Sequence, residues 1–354
     1  MNTGTGRRCR SLRCLGVMGS SDRIAREVVV TGGLGFIGSH VVDAYLMAGH
    51  RVRIIDSAVG AVTDGREYEE HPGCRVIRAS IEDYLASGET FAGADRVIHA
   101  AAHVGPAGIL RYVGRLGADI VKSTSAVIEE CVARDLRLCV FSSAEVYGRS
   151  GQLSENDDIR VPTAYNARIE YAVAKTLTEA MTVNSAHRGL RAIVIRPFNV
   201  AGPRQSRAGG FVLPTFVQQA LASRPMTVFA GGGQVRAFLS ATDLSRFLIE
   251  YFDAAIASDH RIYNLGNPAN RTTILELARR VKTLLGSPSE IVHVDATKVH
   301  GPLYFEAESY EKVPVLCAAP ELGWEPQISL DQLILETAEF YRERQDVRAG
   351  NAPL

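Results

Sequence analysis

Paired cysteines, long apolar runs and net charge are all scarce in this 354-residue chain. Its six cysteines, Cys9, Cys14, Cys74, Cys131, Cys139 and Cys317, include no Cys-x-x-Cys pair. That spacing argues against a disulfide framework or a zinc site, and no metal is expected. Cys131 and Cys139 sit in apolar surroundings and read as small core residues in a reducing, cytoplasmic compartment. No run of about 20 apolar residues exists, so no membrane span is expected. Arg7, Arg8, Arg10 and Arg13 are followed only by Leu15–Met18. A secretory signal needs an apolar stretch of about 7–15 residues, so residues 1–25 read as a disordered tail. Lys+Arg and Asp+Glu balance at 39 each. Net charge therefore gives no reason to expect nucleic acid or an anionic membrane as partner. Internal repeats and low-complexity tracts are also missing.

What is present is alternation. Short β-branched runs at Glu27–Thr31, His50–Asp56, Cys74–Arg78, Asp95–His99, Leu138–Ser142 and Ala192–Arg196 read as buried strands. Helical periodicity lies between several of them, at Ser39–Gly49, Ile120–Arg134 and Tyr171–His187. Strand alternating with helix predicts an α/β fold with a Rossmann-like, doubly wound parallel sheet. After Pro197 the rhythm breaks at Pro203, Pro214, Pro225 and Gly231–Gly233, and Ile262–Gly266 reads as a late strand rejoining the sheet. Thr272–Leu285 and Ser329–Arg344 read as helices. The expected organisation is a dinucleotide domain over 26–200, with a returning segment near 238–266. A smaller lobe over 201–237 and 267–345 and a tail at 346–354 complete it.

Thr31–Gly38 contains Gly32-x-x-Gly35-x-x-Gly38 between a strand and a helix. Glycines let the backbone turn tightly against a pyrophosphate, and the helix N-terminus offers free N–H groups. Asp56 ends the next strand, where a carboxylate can accept ribose hydroxyls and repel a 2′-phosphate. NAD is thus favoured over NADP. Tyr171 and Lys175 stand four apart on one predicted helix face. A phenol titrates near 10. The ammonium, together with oxidised NAD, is expected to lower it and let Tyr171 take a proton from a sugar hydroxyl. Ser143 and Glu145 leave the fifth strand at its carboxyl end, where ligands sit in such sheets. Glu145 reads either as a second acid/base or as a solvated loop carboxylate.

Taken together these residues resemble the extended short-chain dehydrogenase/reductase family of NAD-dependent nucleotide-sugar epimerases, dehydratases and decarboxylases. The resemblance runs from about Val28 to Tyr341. It rests on Thr31–His40, His99–Ala102, Ser142–Gly148, Tyr171/Lys175, Arg196–Gln205, Gly233–Phe238 and Leu322–Pro326. It implies a bound NAD that oxidises C4 of the sugar and usually returns the hydride. It also implies cofactor contacts at Gly32, Gly35, Phe36, Ile37, Gly38, Asp56, Ser80, Ile81, Ala100, Ala101, Ala102, Tyr171, Lys175 and Pro197. Ser143 is implied as the hydroxyl that partners Tyr171. Asn199, Arg204, Arg236 and Lys312 are implied as residues gripping a nucleotide diphosphate, expected to be UDP-linked. The family commonly dimerises through two helices, in this chain Ile120–Arg134 and Tyr171–His187, so a homodimer is expected.

The reaction stays open among three outcomes. Ser143-Ala144-Glu145 argues against the Asp-Glu type of 4,6-dehydratase, because Ala144 cannot donate a proton. Arg168, three residues before Tyr171, fits the pattern of UDP-glucuronate decarboxylases, which release carbon dioxide from a β-keto acid to give UDP-xylose or a UDP-4-keto-pentose. Decarboxylation is the favoured expectation, ahead of 4-epimerisation and then dehydration. A non-catalytic NAD sensor is the alternative outside the enzymes, and the intact Ser143, Tyr171 and Lys175 speak against it. Three departures from the family pattern stand out: His103–Arg111 matches no subfamily, Ile120 replaces a frequent Asn, and Glu311–Val315 replaces Arg-Arg-x-Pro-Asp.

Overall fold

The computed structural model describes residues 25–102, 105–148, 153–159, 161, 166–295, 298 and 311–350. Residues 1–24 of the expected tail, and His103 and Val104 of the atypical segment, lie outside them.

Six strands, β1 (Glu27–Thr31), β2 (Arg51–Ile55), β3 (Cys74–Ile77), β4 (Arg96–His99), β5 (Arg137–Phe141) and β6 (Arg191–Pro197), form one parallel sheet with Ile262–Leu265. Their spatial order is Ile262–Leu265, β6, β5, β4, β1, β2, β3. The order reverses between β1 and β4, and the crevice at that switch point is where such sheets bind ligands. Both faces are covered, which explains the unbroken apolar runs. Val28 and Val30 pack against Val41, Val42 and Tyr45 of helix Phe36–Met47 and Leu244 and Phe247 of helix Ala241–Glu250. Val29, pointing the other way, packs with Val127, Ile128 and Cys131 of helix Leu116–Ala133. Cys131 and Cys139 are buried and unpaired, as their apolar settings implied.

Among the described residues three smaller sheets follow β6: Val200–Ala201 with Leu239–Ser240, Met226–Phe229 with Ile291–Val294, and Arg271–Thr273, Val235–Ala237 and Glu311–Lys312 in that order. A further apolar cluster joins Leu213, Phe216 and Val217 to Leu277, Val281, Leu333 and Ile334. The proline-broken reading of this region is corrected at Pro214, which lies inside helix Val212–Leu221. It occupies the first turn, where a backbone N–H has no partner within the helix and its loss costs little. The terminal helix runs Leu330–Gly350, beyond the expected Arg344 and into the expected tail. Among the described residues no helix is long and apolar enough to cross a membrane.

Candidate active site

Gly32 has φ +71°, and a Cβ there would stand 2.8 Å from the Ala101 backbone. At Gly38 a Cβ would stand 2.0 Å from the Gly32 carbonyl oxygen. Only glycine lets helix Phe36–Met47 start this close to the loop. That helix has no side-chain cap and no acidic residue in its first turn, so its leading N–H groups are left for an anion. The Asp56 carboxylate accepts the Leu34 N–H at 2.9 Å and the Ala58 N–H at 2.7 Å. A carboxylate has lone pairs to spare for ribose hydroxyls after two such bonds. Opposite, Thr31 Oγ1 contacts His99 Nδ1 at 2.8 Å and accepts the Ala101 N–H at 3.3 Å, while His99 Nε2 meets Thr124 Oγ1 at 3.1 Å. Burial, reinforced by the Lys175 charge, pushes His99 down to about 3, so it is neutral. This chain of contacts fixes Ala100–Ala102 beside the glycine loop. A cradle without Cβ atoms, an uncapped helix start and a carboxylate at the end of β2 fit an NAD-type dinucleotide.

Tyr171 and Lys175 lie on the buried face of helix Ala167–Asn184. The Lys175 ammonium donates to the Phe141 carbonyl at 2.7 Å and stands 5.9 Å from the Tyr171 ring centre. Burial lowers Lys175 to about 8, against the opposing pull of Glu179. The expected lowering of Tyr171 is not found in the protein alone. Burial raises it, the Glu145 charge raises it further, and a hydrogen bond with Ser143 only partly opposes them. The ammonium gives one of its three N–H bonds to a backbone carbonyl and does not lower Tyr171, so the stabilisation of a phenolate is expected from the cofactor. Ser143 begins the 3₁₀ turn Ala144–Tyr147, accepting the Glu145 N–H at 3.2 Å.

Glu145 is not a solvated loop carboxylate. Its Oε1 pairs with Lys312 Nζ at 2.7 Å and lies 3.6 Å from Arg168 Nη1. Burial works against its charge, yet Lys312, Arg168 and Arg236 outweigh burial and hold it at about 2. Arg236 and Lys312 are register partners on adjacent parallel strands. Asn199, at φ +41°, donates its amide to the Ala237 carbonyl at 3.1 Å and the Lys312 carbonyl at 3.4 Å. Ser143, Glu145, Tyr171, Arg168, Arg236 and Lys312 thus converge at the carboxyl end of β5.

Residues 28–266 match the model of the NAD dependent epimerase/dehydratase family. The chain belongs to that family. A UDP-N-acetyl-alpha-D-glucosaminuronate decarboxylase of Bacillus cytotoxicus is 30% identical over 322 residues, covering 90% of this chain and 98% of that protein. UDP-glucuronic acid decarboxylase 1 of Xenopus tropicalis is 26% identical, covering 94% and 76% respectively. Among solved structures, a UDP-N-acetylglucosamine 4-epimerase from Methanobrevibacter ruminantium M1, in complex with UDP-N-acetylmuramic acid, has the same fold. Its TM-score is 0.77 at 23% identity, over 90% of this chain and 99% of that one. Membership makes this protein an NAD-dependent enzyme that modifies nucleotide sugars.

Other residues expected from the family pattern are placed less centrally. Ser80 spends its hydroxyl capping helix Ile81–Ala86, accepting the Asp83 N–H at 3.0 Å, while Ile81 is buried. Phe36 and Ile37 form the first turn of the helix after the loop, and Pro197 closes β6. Arg204 is not brought to Arg236 and Lys312. At φ +69° it turns to pair with Asp43 at 2.6 Å and meets the Tyr68 hydroxyl at 3.4 Å, tying its loop to the Phe36–Met47 helix. Ile120 packs with Ile109, Leu116, Tyr171 and Ala174, so an apolar wall replaces the frequent Asn. Sequence reasoning missed Glu179, whose carboxylate forks onto Arg196 beneath the site. Its signal was available: Glu179 continues the i, i+4 stripe begun by Tyr171 and Lys175.

Proposed function

We propose that this enzyme decarboxylates a UDP-linked uronic acid after transient oxidation at C4. The observation that carries the reading is the set of three cations, Arg168, Arg236 and Lys312, around the carboxylate of Glu145 beside Ser143 and Tyr171. A diphosphate and a uronate carboxylate both need such counter-charge. Bound NAD supplies a hydride acceptor that also returns the hydride. Tyr171, hydrogen-bonded to Ser143, takes the C4 hydroxyl proton and gives it back on reduction. Lys175 holds ribose hydroxyls, and Asn199 and Arg236 hold the diphosphate. Once C4 is a ketone the C5 carboxylate is a β-keto acid. Its carbon–carbon bond breaks, carbon dioxide leaves, and the electron pair passes into the enolate, which takes a proton at C5 from solvent. Dehydration instead needs an acid beside Tyr171. Ala144 is not one, and Glu145 at about 2 is ionised at neutral pH. The 30% identity to a uronate decarboxylase over nearly its whole length supports the same reading.

In this reading the lobe over 201–237 and 267–345 carries the nucleotide sugar. The protein pairs with a second copy through helices Leu116–Ala133 and Ala167–Asn184, the latter exposing Val173 and Leu177. Incubation with UDP-glucuronate or UDP-N-acetylglucosaminuronate tests the reaction, with carbon dioxide and nicotinamide absorbance followed together. Carbon dioxide release is expected. UDP-galacturonate without carbon dioxide makes the enzyme a 4-epimerase instead, and inertness toward nucleotide sugars with NAD still bound revives the sensor.

A further inference from the structure

Lys312 stands where the family pattern has a phosphate-gripping arginine, but its ammonium is spent elsewhere. The short strand Glu311–Lys312 alternates its side chains: Glu311 turns outward to Arg271 at 2.5 Å, and Lys312 turns inward to Glu145 at 2.7 Å. The Lys312 side chain is 5% exposed. An ammonium so enclosed depends on its counter-ion, because a buried charge without one is strongly destabilised. Lysine also lacks the planar fork with which arginine grips phosphate in two places at once. Among the described residues the charged and titratable groups facing Glu145 are Lys312, Arg168, Arg236 and Tyr171. Lys312 lies closer to the carboxylate than Arg168 does, at 2.7 against 3.6 Å.

We infer that Lys312 is a positioning residue that keeps Glu145 ionised beside Ser143 and Tyr171, rather than a ligand of the substrate's diphosphate. This deepens the decarboxylase reading and rests on it for the role of the site. A Glu145 that Lys312 holds ionised at neutral pH has no proton to give as the acid of a dehydration, so one lysine, reaching across from the strand Glu311–Lys312, biases the site toward loss of carbon dioxide. The diphosphate is left to Arg236 and Asn199. If phosphate instead captured Lys312, Glu145 would lose its nearest partner at the moment the substrate's own negative charge arrived.

Two measurements test this without relying on turnover. The first is calorimetric binding of UDP alone to the NAD-loaded protein. Arg236→Met is expected to weaken UDP at least tenfold and Lys312→Met by less than threefold. The second is the protonation of Glu145, read as the infrared carboxyl band lost in Glu145→Gln. Wild type is expected to stay ionised down to about pH 3. Lys312→Met is expected to titrate in or above the ordinary carboxylate range near 4.3, and Lys312→Arg to restore the wild-type behaviour. If Lys312→Met does not retain NAD, Lys312→Gln serves in its place. Loss of UDP affinity in Lys312→Met equal to that in Arg236→Met overturns the inference, as does an unmoved Glu145 titration. Failure of the decarboxylase reading shows separately, as missing carbon dioxide with these two results intact.

Discussion

Arg196 of β6 and Glu179 of helix Ala167–Asn184 form a buried two-point ion pair, Nε to Oε1 at 2.8 Å and Nη2 to Oε2 at 2.6 Å. Arg196 also donates to the Tyr147 hydroxyl at 2.8 Å, which in turn donates to Asn264 at 2.8 Å. The network links helix Ala167–Asn184, β6, the turn after β5 and the last strand of the sheet. Removing one partner strands the other charge in the core. Glu179→Gln or Arg196→Met is therefore expected to lower unfolding free energy by about 3–5 kcal/mol. Urea titration of the single variants measures this. The pair Glu179→Leu with Arg196→Met is expected to recover much of the loss.

Gly38→Ala forces a methyl group to within 2.0 Å of the Gly32 carbonyl oxygen. The loop or the helix start has to move, and both form the cradle. Loss of bound NAD, read from absorbance of the purified protein and from titration with added cofactor, is the expected outcome. Gly49→Ala, at a site with nothing within 4 Å of the added Cβ, is the comparison that should keep NAD despite its strained φ of +82°.

Tyr171→Phe removes the proposed proton acceptor and keeps the packing with Ile109, Leu116 and Ile120. Turnover is expected to fall by about 10²–10⁴, with NAD retention and UDP affinity unchanged. A proton acceptor works in its ionised form, so Tyr171 sets the acidic limb of the pH profile; burial raises it in the protein alone, and the positive charge of bound NAD⁺ should move that limb to lower pH. Comparing NAD⁺-bound with NADH-bound protein by phenolate absorbance checks that direction.

Acid stability depends in part on His99. Its folded-state value of about 3 lies below the unfolded value near 6.5, so the unfolded chain binds more protons between those limits. Stability is full above about pH 6.5 and falls as pH drops toward 3, by at most about 1.4 kcal/mol per pH unit from this group. Glu145 contributes with a different window: its stabilisation is present above the unfolded value near 4.3 and disappears as pH falls toward 2. Burial and the Arg204 charge hold His40 at about 3 as well, so it titrates over the same window as His99. Chemical denaturation at stepped pH should therefore show stability declining first between 6.5 and 4.3, and that decline should be shallower in His99→Gln and shallower still when His40→Gln is added.

Leu177 is 48% exposed and Val173 41% exposed, one helical turn apart. Leu177→Glu is expected to convert a dimer to a monomer in light scattering while leaving NAD bound. A wild-type monomer at micromolar concentration would count against the paired-helix arrangement.

Much of the fold was legible because burial on both faces writes itself as β-branched runs such as Val28-Val29-Val30. The glycine loop was legible for a related reason: a Cβ at Gly32 or Gly38 would strike backbone, so few residues are tolerated there. The helix Val212–Leu221 was hidden by Pro214, since a proline in a first turn looks like a break when the turn cannot be seen. The pairing of Lys312 with Glu145, 167 residues apart, depends on the register between Glu311–Lys312 and Val235–Ala237, which no local pattern encodes. Arg204 was legible as part of a motif, but its left-handed backbone sends the side chain to Asp43.

The seventh strand of the main sheet, Ile262–Leu265, is reached only after the chain has passed through Met226–Phe229 and Val235–Ala237 of the smaller sheets. Until it docks, β6 is an open edge whose Ile193, Val194 and Ile195 are otherwise completely covered. A nascent chain emerging from the ribosome must hold that edge unpaired through some sixty residues of synthesis, a state that invites strand-to-strand association between chains. The protein therefore has no natural cut point near residue 200, and a gene shortened there should yield aggregates rather than a free cofactor domain.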